Sequence, residues 1–253
     1  MSGQIIRVII GAAGLLMQVT LASAADTKLL STVAFKNVLE ELTPKLQIAS
    51  GRNVAITYGL AAQLVQRIQS GEAVDVAILT RSGIDTLAKE GKIAPSSAAT
   101  LASTSMALAV KSGAAKPDIS SPEAFKRTLL SAKSIATGNP AAGGASSVYF
   151  AKLLERMGIA EEMKAKTKFA PPGKFAADLV ASGDAELGVM QTSELVTGTD
   201  LVGVFPGDLN LVTAFGIGLG AAAADTSAAN ALIRFLKSPE AAAVYKAKGM
   251  YPN

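Results

Sequence analysis

The stretch VAITYGLAAQLVQRIQSGEAVDVAILTRSGIDTLAK, Val54 to Lys89, decides the fold. Val54 to Tyr58 reads as a short strand, after which Leu60, Leu64, Val65 and Ile68 recur at helical spacing until Ser70-Gly71 ends the pattern. Val74 to Leu79 is nearly continuous in apolar residues, as a parallel strand covered on both faces must be. A further helix pattern runs from Ser82 to Lys89. Upstream, Lys28 to Val33 is a strand, and Phe35 to Ile48 places Val38, Leu39, Leu42 and Leu46 on one helix face. Three strand-helix pairs in succession predict an α/β fold, with a parallel sheet between layers of helix.

Downstream the pattern changes. Met106, Leu108 and Val110 alternate with smaller residues across Ser105 to Lys111, which predicts a longer strand leaving the first sheet. Pro117 to Pro122 is a turn opening a helix, with Ser121 as N-cap and Pro122 at the first helical position. A second alternating series follows: strand Lys133 to Ala136, helix Ser147 to Met157, strand Thr167 to Ala170, helix Lys174 to Ala181 and strand Glu186 to Met190. A glycine-thinned strand, Thr213 to Leu219, and two alanine-rich helices, Ser227 to Leu236 and Pro239 to Lys248, close the chain. Two lobes suit this order better than one sheet: residues 25–104 with 215–253 as lobe 1, and residues 105–214 as lobe 2.

Residues 1–24 carry the pattern of a secretory signal peptide. Arg7 precedes an apolar run from Val8 to Leu21, and Ala22-Ser23-Ala24 supplies small residues for cleavage. The expected product is a soluble periplasmic protein of about 229 residues, enough for two lobes. Apolar residues make up 49% of the chain and charged residues 17%, a composition that packs a core. The chain has no cysteine and no histidine. The first absence rules out disulfides; the second removes the commonest general base and metal ligand together. The net charge of +4 is spread without a basic stripe, so no nucleic-acid partner is expected. Nor is any cofactor or metal.

In open α/β sheets ligands sit beyond the carboxyl ends of strands, against helix N-termini. The loops in that position supply the candidate site: Ala34, Phe35 and Lys36; Gly59, Leu60 and Ala61; Thr80 and Arg81; Gly144, Ala145, Ser146 and Ser147; Gly173 and Lys174; and Gln191 with Ser193. The segment Gly138 to Ser146 is rich in glycine but lacks the lysine of a phosphate loop, having Gly144 there and Ala145 next. It reads either as a nest for a small polar ligand or as a tight connection. Arg81 suits a carboxylate ligand or a salt bridge to Asp85 one turn on. Lys36 and Lys174 stand at helix starts, where a cation is mildly unfavourable unless an anion joins it.

Across these loops the chain resembles the molybdate-binding branch of the solute-binding proteins of ABC transporters, which have a type II periplasmic binding protein fold. The resemblance rests on LLSTVAFKNVLEEL from Leu29, QRIQSGEAVDVAILT ending at Thr80, YFAKLLERMGI ending at Ile159, LVASGDAELGVMQTSEL ending at Leu195 and FLKSPEAAAVYKAKGMYP ending at Pro252. It implies a monomer that captures a small solute in a cleft between its lobes and delivers it to a membrane permease. Molybdate binders are expected to offer serine hydroxyls in the first two loops, where this chain has Ala34 and Leu60-Ala61-Ala62. An organic solute, with a carboxylate as the first choice, is therefore expected. Without His, Cys or a G-x-S-x-G elbow, a non-enzymatic binder is expected. A secreted enzyme of the same fold, and a sensor presenting solute to a membrane receptor, are the alternatives.

Overall fold

A computed structural model describes residues 26–253, so the expected signal peptide lies outside the described residues. Three strand-helix pairs come first: β1 (Thr27–Thr32), α1 (Lys36–Ser50), β2 (Val54–Gly59), α2 (Ala61–Gln69), β3 (Val76–Thr80) and α3 (Arg81–Lys89). The long β4 (Ala99–Lys111) leads to α4 (Pro122–Ser131), β5 (Ile135–Thr137), α5 (Ala145–Arg156), α6 (Ala160–Lys164), β6 (Thr167–Phe169), α7 (Ala176–Ser182) and β7 (Leu187–Gln191). After β8 (Thr199–Val204) and β9 (Val212–Leu219) come α8 (Thr226–Leu236), α9 (Pro239–Ala247) and the two-residue β10 (Tyr251–Pro252).

The strand order is β2-β1-β3-β9-β4-β7-β5-β6, with β8 and β10 also paired to β4. Strands β2, β1 and β3 are parallel, as the opening series requires, and β9 joins β3 antiparallel with Ile78 opposite Ile217. Strand β4 belongs to both halves. Its residues Ala99 to Ser105 pair with β9, whereas Met106 to Val110 pair with β7 on one side and Ala107 to Lys111 with β8 on the other. Thirteen residues at about 3.3 Å each carry one strand across the whole molecule.

The first sheet is covered on both faces. On one side Phe35 meets Phe215 and Tyr245 edge-on, with ring centroids 5.4 and 5.7 Å apart, among Leu39, Leu42, Leu232 and Leu236. On the other, Leu64 and Ile68 of α2 and Ile84 and Leu87 of α3 cover Leu30, Ala77 and Leu79. That two-sided burial explains the unbroken apolar run of β3. The second half packs Phe125, Phe150 and Phe205 on one face. Its other face uses alanine, Ala109, Ala136, Ala176 and Ala177, which lets α7 lie close to the sheet; a Cβ at Gly188 would fall 2.8 Å from a methyl of Val180.

Several boundaries differ from the sequence reading. Strand β4 begins at Ala99 rather than Ser105, because Ala99 to Thr104 follow no alternating pattern yet are held by β9. Strand β8 and helix α6 went unpredicted: β8 is half exposed with glycine at position 203, and α6 has five residues. Ser121 caps α4 as expected, its side chain accepting from the Ala124 N–H, with Pro122 leading the helix. Ends of β5, β6, β7 and α7 shift by one or two residues.

Candidate functional site

A cavity of about 700 Å³ opens between the two halves, lined at the carboxyl ends of β1, β2, β5, β6 and β7. From the first half come Val33, Lys36, Tyr58, Gly59, Leu60 and Gln63. From the second come the loops between Gly138 and Ser147 and between Phe169 and Ala176, together with Val189 and Glu194. Two contacts already join the halves, and a third approach is close. The Gln63 side-chain amide reaches the Ala142 carbonyl at 3.4 Å, the Lys36 ammonium lies 5.7 Å from the centre of the Phe175 ring, and the Leu60 side chain is 3.6 Å from where a Cβ on Gly144 would stand.

Eight of the sixteen residues expected from sequence line this cavity: Lys36, Gly59, Leu60, Gly144, Ser146, Ser147, Gly173 and Lys174. The other eight are held elsewhere. Ala34 and Phe35 are buried in the first core, Phe35 by its ring contacts. Ala61 and Ala145 begin α2 and α5 behind the cap residues Leu60 and Gly144. The Thr80 hydroxyl accepts from the Gly83 N–H and caps α3. Arg81 turns toward its own helix, pairing with Asp85 at 2.8 Å and reaching the Thr100 hydroxyl at 3.5 Å. Gln191 accepts the Thr104 hydroxyl, and the Ser193 backbone carbonyl is held from α1. Of the two readings of Arg81, the structure has the salt bridge.

Glu194 reaches the cavity from the buried turn Gln191-Thr192-Ser193-Glu194, which is clamped from the first half. The Asn37 amide donates to the Ser193 carbonyl at 3.0 Å and the Leu195 carbonyl at 3.1 Å. Gly249 passes so near this turn, with φ +73°, that a Cβ there would stand 2.5 Å from the Thr192 carbonyl oxygen. Glu194 ends the turn. One of its carboxylate oxygens accepts the Gln191 N–H at 3.1 Å, and the residue is part of the cavity lining. Burial pushes its pKa up from the ordinary 4.5 to about 7, since the single backbone N–H offsets little of the lost hydration. Tyr58 is likewise raised, to about 12, by burial and by the nearby Glu40, so it stays a neutral phenol able to donate.

The chemistry of the cavity is mixed. Lys36 and Lys174 bring positive charge. Helices α2 and α5 start at its edge with no side chain capping them, leaving backbone N–H groups free for an anion. Ser147 is not such a donor, because its hydroxyl already donates to the Gly144 carbonyl at 2.9 Å. Val33, Leu60, Phe169, Pro171, Pro172 and Phe175 add hydrocarbon walls. Tyr58, Gln63 and Glu194 lie outside the residues expected from sequence, whereas Asn139 falls in the expected glycine-rich loop. Glu194 had a signal: an acid three residues after Gln191, at a strand end otherwise made of neutral residues, has the spacing of a capping side chain.

Known proteins resemble this chain along nearly its whole length. The pattern of the family described as bacterial extracellular solute-binding protein matches residues 27–251. An aconitate isomerase from a Pseudomonas species is 33% identical over 231 residues, covering 88% of this chain and 86% of that one. A molybdate-binding protein of Azotobacter vinelandii is 27% identical over 235 residues, 90% of each chain. Among solved structures, an Azotobacter vinelandii periplasmic molybdate-binding protein superposes with a TM-score of 0.70 at 20% identity, covering 89% of this chain and 98% of that one. The sulfate-binding protein of Mycobacterium tuberculosis gives 0.67 at 15% identity, covering 90% and 87%. The isomerase relative overturns the expectation of a non-enzymatic chain. That expectation rested on the missing His and Cys, whereas a buried carboxyl such as Glu194 is also an acid and a base. The fold is the two-lobed type II periplasmic binding protein fold, and the chain belongs to the bacterial extracellular solute-binding proteins.

Proposed function

We propose that this chain is exported, binds a small organic polycarboxylate of the aconitate class between its lobes, and isomerises it. The observation that carries the reading is the pairing of charge with hydrocarbon in one cleft: Lys36, Lys174 and two uncapped helix starts beside Leu60, Pro172 and Phe175. Carboxylates suit the cations and N–H groups, and a carbon skeleton suits the apolar walls. An inorganic oxyanion would gain little from those walls and would find no side-chain hydroxyl at Leu60, where the second loop meets the cavity. The 33% identical aconitate isomerase supports the same ligand class.

Closing the lobes over the ligand would bring both sets of groups onto one molecule, so binding couples to closure. Family membership supports a second, compatible role, in which the loaded protein presents its solute to an ABC-type permease. Calorimetric titration with cis-aconitate, trans-aconitate, propane-1,2,3-tricarboxylate and molybdate tests the ligand class. Binding of the tricarboxylates and not of molybdate is expected; tight molybdate binding without tricarboxylate binding refutes the reading.

A further inference from the structure

Among the described residues lining the cleft, Glu194 is the only carboxylate. It comes from the clamped turn of the second half and shares the cavity lining with the cations Lys36 and Lys174 and with Tyr58. A carboxylate facing the site of an anionic ligand opposes binding unless it does something else there. We propose that Glu194 is the catalytic residue that moves the proton in the isomerisation, an inference that rests on the polycarboxylate reading above.

The step balances without any further reactant. The ionised Glu194 takes a proton from the methylene carbon of an aconitate-type tricarboxylate. The electron pair of that C–H bond becomes a new double bond to the central carbon, while the pair of the old double bond moves to the far carbon and into its carboxylate. The same Glu194 carboxyl then returns the proton to the far carbon. One C–H bond breaks and one forms, the double bond shifts by one position, and the new one can form with either geometry. Nothing is oxidised or reduced. Negative charge growing on the substrate in mid-reaction is met by Lys36 and Lys174. With no cysteine in the chain, reversible thiolate addition to the double bond is closed as another route. A carboxyl poised near neutrality has the proton affinity both halves of the step need.

The test uses the full mature chain. Interconversion of cis- and trans-aconitate, and uptake of deuterium from heavy water into the substrate C–H positions, are followed by proton NMR, while affinity for propane-1,2,3-tricarboxylate is measured by calorimetry. In Glu194→Gln, turnover and deuterium uptake should fall about 10²- to 10⁴-fold while affinity is kept or improved. Glu194→Asp should recover part of the rate with a shifted pH profile, which a merely structural glutamate would not give. A Glu194→Gln protein as fast as wild type overturns the proposal. So does a wild-type protein that binds the tricarboxylate and moves no proton, in which case the ligand reading stands alone. Failure to bind any tricarboxylate removes the ligand reading and this inference with it.

Discussion

Replacing Glu194 by glutamine should stabilise the protein at alkaline pH and flatten the dependence of its stability on pH. In the unfolded chain the carboxyl titrates near 4.5, and in the fold near 7. The native state therefore holds this proton more tightly than the unfolded state. Its stabilising effect is complete below about pH 4.5 and is lost as pH rises through about 7. A difference of about 2.5 units, at about 1.4 kcal/mol each, makes the ionised residue cost about 3 kcal/mol above neutrality. The glutamine keeps an oxygen for the Gln191 N–H and never ionises. Urea unfolding followed by circular dichroism at pH 5 and pH 8, on wild type and Glu194→Gln, measures the effect. Between those pH values the wild type should lose about 2 to 3 kcal/mol relative to the variant. Parallel losses in the two proteins would show that Glu194 is hydrated in the fold, and the argument from burial would fail.

Other expectations can be checked on the same protein. Lys36→Ala should weaken tricarboxylate binding by about 10- to 150-fold, the worth of a charge-assisted hydrogen bond, whereas Arg81→Ala should leave it unchanged because Arg81 is engaged by Asp85; titration of both variants decides. Asn37→Ala strips two partly buried carbonyls of their donor and should cost about 1 to 3 kcal/mol in urea unfolding. Gly249→Ala forces a methyl group against the Thr192 carbonyl at a positive φ and should lower Tm by several degrees, measured by calorimetry.

The opening half of the fold was legible because its signals are local. Val76 to Leu79 is apolar without a break because helices cover both faces of the sheet, and α1 shows its buried residues at helical spacing. What escaped depends on partners distant in sequence. Ala99 to Thr104 becomes strand only because Val212 to Ile217 lies against it, and Thr199 to Val204 only because β4 offers an edge. The candidate loops were legible as strand ends, yet which side chain turns inward was not. Arg81 and Lys36 look alike in sequence, each with an acid one turn later; Asp85 holds Arg81 at 2.8 Å against its own helix, whereas Lys36 stands 4.0 Å from Glu40 and lies over the Phe175 ring. Glu194 was hidden for a different reason, since its meaning lies in how little water reaches it.

The position of β9 also orders the assembly of the molecule. It lies between β3 and β4, so the first half is completed by a segment made after the whole of the second. A growing chain can pair β1, β2 and β3 early, but the edge of β3 stays open until Val212 to Leu219 arrives. Helices α8 and α9, which cover Leu39 and Leu42, arrive later still. The second half, by contrast, is contiguous from Met106 to Val204 and can collapse as soon as it is made. Contacts so distant in sequence slow folding. A chain built in this order stays incompletely folded until nearly its last residue, which suits the export proposed above.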